Sequence, residues 1–108
     1  MAARQIDSDL ALDNALAAPQ FLLLKHSERC GISTRAFDQF ETFLGEEPGT
    51  PGGFIDVLAH RTLSNRVTEV TGVSHESPQA LLLEHGRVIW TASHFKIAVA
   101  SLREALQS

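Results

Sequence analysis

The chain has a single cysteine, Cys30, in the polar stretch Ser27-Glu-Arg-Cys-Gly-Ile-Ser-Thr34. One cysteine cannot build an internal disulfide framework, so in a reducing compartment it either packs or works as a thiol. Packing cysteines normally sit within apolar runs, and these flanks are polar, which favours a working thiol. Arg29 beside it and Arg35 about one turn further on favour the thiolate, while Glu28 opposes them. Ser33 stands three residues after Cys30, where a dithiol redox enzyme would carry its second cysteine. Its hydroxyl either donates to the thiolate or is an ordinary first-turn helix serine. In either case a hydroxyl cannot resolve a mixed disulfide as a second sulfur would, so the chemistry open to this chain is one-thiol exchange.

The other candidates are weaker. None of the five histidines (His26, His60, His75, His85 and His94) forms a pair with helical metal spacing, and no cysteine pair completes a site, so no metal is expected. His26 and His75 flank segments that should converge on Cys30; each is either a base or substrate-orienting group, or a polar residue at a strand end. No histidine fixed by an acid, with an oxyanion site, is visible for a cysteine hydrolase. Trp90, Phe37, Phe40 and Phe43 lie on apolar faces and read as core.

The elements that would position Cys30 follow from the hydrophobic pattern. Asp7 or Ser8 can cap a first helix carrying Leu12 and Leu16 and ending near Pro19. Phe21 to Lys25 reads as a strand covered on both faces, at the centre of a parallel sheet. From Ile32 a helical stripe of Ala36, Phe37, Phe40, Phe43 and Leu44 runs to Gly45, a candidate left-handed cap. Cys30 then falls in the turn before a helix N-terminus, where unpaired amides and the dipole favour an anion.

Gly45 to Gly53 is glycine- and proline-rich and reads as a loop. Phe54 to Leu58 reads as a second strand; Thr62 can cap a helix with Leu63, Val67 and Val70 on one face, closed by Gly72. Ala80 to Leu83 and Arg87 to Thr91 form a hairpin about Glu84-His-Gly86. A last helix from about Ser93 buries Phe95, Ala98, Val99, Leu102 and Leu106. The expected architecture is an α/β single domain over residues 1–108. Its four-stranded mixed sheet has the first strand central, the second parallel to it on one side, the hairpin on the other, and helices on both faces.

Composition narrows the partners. Nine Lys and Arg against thirteen Asp and Glu give a net charge of −4 with scattered basic residues, which disfavours nucleic acid. The longest apolar run, Phe21 to Leu24, is far short of the ~20 residues of a membrane span, and Met1 to Ala18 does not read as a leader. The expectation is a cytoplasmic protein without a membrane partner.

The segment Lys25-His-Ser-Glu-Arg-Cys-Gly-Ile-Ser-Thr-Arg-Ala-Phe37 resembles the motif of the monothiol bacilliredoxins. Thr62-Leu-Ser-Asn65, His75-Glu-Ser-Pro-Gln-Ala-Leu81 and Trp90-Thr-Ala-Ser-His94 resemble its later blocks, in family order. The resemblance runs from about Phe21 to Leu106. It implies a thioredoxin-like fold with no bound cofactor, and bacillithiol as thiol co-substrate. Cys30 would take bacillithiol from S-bacillithiolated client proteins and be reset by a second low-molecular-weight thiol. It also implies that Ser77-Pro78 is the cis-proline step facing the cysteine, in a substrate groove made by the Cys30 turn, His75 to Pro78 and the start of the last helix. Gly31 replaces the family's usual proline after the cysteine, which loosens the first helical turn.

Cys30-Gly-Ile-Ser33 is also similar to the Cys-Gly-Phe-Ser site of monothiol glutaredoxins, which carry iron–sulfur clusters between two subunits. The paired glycine those proteins usually carry after the third and fourth strands is absent from Ile89-Trp-Thr-Ala-Ser93. A third alternative is a redox-inactive adaptor that kept the fold. Alkylation rate against pH separates it from the others. A working Cys30 titrates below the ~8.5 of a free thiol, and a value at or above that excludes the reactive site.

Overall fold

The computed structural model describes residues 3–27 and 31–107. A short strand β1 (Arg4–Gln5) precedes helix α1 (Asp9–Ala17), β2 (Phe21–His26), α2 (Gly31–Glu46), β3 (Gly52–Asp56) and α3 (Arg61–Thr71). The hairpin β4 (Gln79–Glu84) and β5 (Arg87–Ser93) follows, then a single 3-10 turn (His94–Lys96) and α4 (Val99–Gln107). The sheet order is β1-β3-β2-β4-β5. β3 runs parallel to β2, and β4 antiparallel to it on the other side, so β2 is central as its sequence predicts.

Successive side chains of a strand point to opposite faces, and β2 buries both. Leu22 and Leu24 join a core closed by Ala36, Phe40, Phe43 and Leu44 of α2 and by Leu102 and Ala105 of α4. Leu23 joins the opposite core, closed by Leu12 and Ala15 of α1 and by Leu63 and Val67 of α3. A polar residue in either row needs a partner waiting for it.

The sheet has five strands rather than four. β1 is two residues long and carries no periodic signal, yet it pairs parallel with β3, Arg4 opposite Gly53 and Gln5 opposite Phe54. β3 begins two residues earlier than expected and ends at Asp56, whose Oδ1 accepts from the backbone N–H groups of Leu58 and Ala59 and turns the chain. At Gly53 an added Cβ would lie 2.7 Å from the Arg4 carbonyl oxygen, so the glycine is what lets β1 approach.

Other expectations shift at element ends. Ser8 caps α1, its Oγ accepting from the Ala11 N–H at 3.1 Å. Gly45 does not cap α2: the helix runs on to Glu46, and the Glu47 N–H still bonds the Phe43 carbonyl before Pro48 ends the run. His60, not Thr62, stands at the N-cap of α3, and Val70 is half exposed at 51% because the core face of α3 ends at Val67. Gly72 closes α3 in the left-handed conformation, and His85 and Gly86 form a two-residue hairpin turn with positive φ at both positions. The last helix starts later than expected, at Val99. His94 has φ 56°, the 3-10 turn leaves Phe95 64% exposed, and Ile97 takes the buried place.

Gly53→Ala is expected to cost about 1–3 kcal/mol through the clash with Arg4. It should also release the hydrogen bond from the Ile6 N–H to the Phe54 carbonyl, now 2.7 Å. Thermal melting together with hydrogen exchange at Ile6 checks this; an unchanged Ile6 amide would show that β1 does not depend on the glycine.

Candidate functional site

The site forms between the carboxyl end of β2 and the start of α2 at Gly31. Glu28, Arg29 and Cys30 lie outside the described residues, so the expectations on Cys30 and Arg29 fall there. Their flanks are fixed. Ser33 is fully buried in the first turn of α2, and its Oγ accepts a hydrogen bond from the Ser27 N–H at 2.9 Å. That bond ties the end of β2 to the start of α2 on either side of Cys30, a structural role for Ser33 that neither sequence alternative named. Gly31 opens α2, exposed, with open space around the position a Cβ would take. Proline is common at such a first helical position generally.

The loop between α3 and β4 lies across a cleft from Ser27. The Ser77–Pro78 peptide bond is cis, as the resemblance implied, and Pro78 is buried. The buried Gln79 holds the loop: its Nε2 donates to the Ser74 carbonyl at 3.0 Å and its Oε1 accepts from the Glu76 N–H at 3.4 Å. Ser77 Oγ is buried with no hydrogen-bond partner among the described residues.

Ser27 and this loop border a cleft of about 260 Å³. Arg61, Ser64 and Asn65 of α3, His75 and Ser77 of the loop, and the apolar Val57 and Leu58 complete its described lining. Of the groove residues expected from the sequence, His75 and Ser77 therefore come together. His26 does not join them. It is the next residue after Lys25 on β2 and faces the other side of the sheet, buried, its ring 4.7 Å from that of Phe37 and 6.1 Å from that of Phe54. Its Nδ1 has no partner among the described residues. The described wall beside the loop is α3, where the start of the last helix was expected.

Lys25 is the feature sequence reasoning missed. It occupies the row of Leu23, is fully buried, and lies in register between Ile55 of β3 and Gln79 of β4. Its Nζ donates to Thr68 Oγ1 of α3 and to His75 Nδ1, each at 3.2 Å. Both partners are neutral, and burial lowers the ammonium pKa to about 8. The pKa of His75 is lowered too, first by burial and then by the positive charges of Lys25 and Arg61, with Glu76 acting weakly the other way. The available signal was a lysine placed directly after four apolar residues of a central strand.

The architecture is that of the thioredoxins. A solved crystal structure of thioredoxin from Trypanosoma brucei brucei superposes with a TM-score of 0.80, at 12% identity, over 97% of this chain and 88% of that one. The oxidised thioredoxin of Plasmodium falciparum gives 0.75 at 12% identity, over 97% and 95%. At that identity these likenesses establish the fold alone. A further solved protein described as having a thioredoxin fold is nearer, with a TM-score of 0.90 and 36% identity over 97% of this chain and 94% of the other. Within this class, the family model described as monothiol bacilliredoxin BrxC matches residues 4–102. The chain belongs to the monothiol bacilliredoxin family, and is a monothiol redox protein of thioredoxin-like fold. No described helix is long and apolar enough to cross a membrane.

A lysine with pKa about 8 when folded and 10.5 as its ordinary value binds fewer protons folded than unfolded between those pH values. Lys25 therefore costs stability in full below about pH 8, and that cost disappears as pH rises toward about 10.5. The difference in melting temperature between Lys25→Met and the wild type should shift in the wild type's favour across this window. A difference independent of pH would show that Lys25 is not a buried cation.

Proposed function

We propose that Cys30 removes bacillithiol from S-bacillithiolated proteins in the reducing cytoplasm, with bacillithiol as co-substrate and no bound cofactor. The observation that supports this most directly is the hydrogen bond from Ser27 to Ser33, which brackets the turn carrying the only cysteine between the end of β2 and the first turn of α2. Family membership supplies the chemical class. The α2 N-terminus and Arg29 favour the Cys30 thiolate. Ser33 and Gly31 support the cysteine from the helix side, and His75, Ser77 and Pro78 border the bound ligand.

The thiolate of Cys30 attacks the bacillithiol sulfur of the protein mixed disulfide. The new disulfide joins Cys30 to bacillithiol, and the client cysteine leaves as thiolate and takes a proton from solvent. No electrons are gained or lost overall, because one disulfide replaces another. The cap stays until an external thiolate attacks the bacillithiol sulfur, forming a disulfide with it and releasing the Cys30 thiolate.

Intact mass after mixing with a bacillithiolated client protein should show one cap on this chain and an equal amount of freed client. Cys30→Ala should abolish the transfer, and Ser33→Ala should slow it. Transfer sustained by Cys30→Ala, or loss of the cap without added thiol, would refute the mechanism.

A further inference from the structure

We infer that the cleft between α3 and the loop before β4 is a carboxylate subsite, in which Arg61 and His75, with Lys25 behind them, receive an acidic group of the thiol carried on Cys30. The inference rests on the exchange reaction proposed above and adds the charge class of the thiol that reaction selects.

Four observations converge on it. First, the chain as a whole is acidic, at −4, but the described lining of this cleft holds no carboxylate and does hold Arg61. Second, Lys25 is fully buried beside the cleft, and no described carboxylate lies within ion-pair distance of its ammonium. A buried charge ordinarily requires a counter-charge, and an anion entering the cleft would provide one.

Third, the hydrogen bonds fix how His75 is presented. An ammonium can only donate, so His75 Nδ1 must accept from Lys25 Nζ, and Ser64 Oγ stands 3.4 Å from the same nitrogen. The pKa of the ring is lowered by partial desolvation and then by the cations around it, which favours the neutral form. With Nδ1 accepting, the neutral ring carries its hydrogen on Nε2, and because His75 lines the cleft and is exposed, that donor is open to a ligand there. Fourth, Arg61, Ser64 and Asn65 stand at spacings of three and four, on one face of α3, so guanidinium, hydroxyl and amide look into the same space. Arginine with neutral donors suits a planar carboxylate, and the lining includes Ser27, which stands three residues before Cys30 in the chain.

Three small symmetrical disulfides that differ in the charge of their ends test this: dithiodipropionate (anionic), hydroxyethyl disulfide (neutral) and cystamine (cationic). The rate at which each caps Cys30 is read by intact mass at low ionic strength. The wild type should prefer dithiodipropionate, then hydroxyethyl disulfide, then cystamine. Arg61→Gln, at an exposed position the fold does not depend on, should lower the ratio of the anionic to the neutral rate by about tenfold, the equivalent of one charge-assisted hydrogen bond. Arg61→Glu should invert the order. Equal wild-type rates for the three, or a ratio unmoved by both substitutions with the melting temperature retained, would overturn the subsite while leaving the exchange reaction in place. If none of the three caps Cys30 but the free thiol is intact, the exchange reaction itself is wrong and the subsite falls with it.

Discussion

Most of what this fold can do follows from β2 being buried on both faces. A strand with hydrogen-bonded neighbours on each side and helices above and below has no route to water except at its end. Leu22 and Leu24 go to one core and Leu23 to the other, so the next two residues must divide in the same way. Lys25 is sent toward α3 and His26 toward α2. The alternation of the pleat thus decides that the lysine meets Thr68 and His75, while the histidine lies among phenylalanines.

The parts legible in the sequence are those where a single physical signal dominates. The apolar run at Phe21 to Leu24 gave away the central strand, and the stripe through Phe40 and Phe43 the long helix. Gly72 marked a helix end and Gly86 a tight hairpin. The illegible parts depend on contacts between distant residues. β1 exists because Gly53 allows Arg4 to come close, and neither residue announces that. Gly45 reads as a cap, but a helix can continue through glycine where its hydrogen bonds are not otherwise contested, and α2 ends at the proline instead. Phe95 reads as core because it falls on a helical stripe with Ala98, Val99 and Leu102, whereas the positive φ at His94 and the later helix start shift the buried position to Ile97.

The site divides in the same way. The cysteine turn and the loop with its cis-proline were marked by local sequence, the second through the family resemblance. The wall supplied by α3 was not, because Arg61, Ser64 and Asn65 have ordinary surface types and become a site only when the crossover from β3 brings them beside His75. Thr62 to Asn65 belongs to a block of the family resemblance that carries no role from sequence alone. The structure puts Ser64 and Asn65 on the cleft and buries Leu63 beneath.

The sign of the buried charge links these features to one-thiol chemistry. A dithiol cycle needs its resolving cysteine deprotonated, which a nearby base assists. This chain has no second cysteine to deprotonate, and the ionisable side chain that β2 buries on the α3 side of the sheet is a lysine. A cation in that place cannot serve as an acceptor while it is protonated, but its field favours anions in the adjoining cleft. Two anions belong to the exchange cycle proposed here: the thiolate that attacks and the acidic group on the thiol it carries. A buried lysine costs stability, as its lowered pKa indicates, and that cost is understandable if the cation acts on a ligand instead of on the fold. His75 is then the intermediary. It accepts from the lysine on its inner nitrogen, stays neutral in the positive field, and turns a buried charge into a fixed donor at the surface.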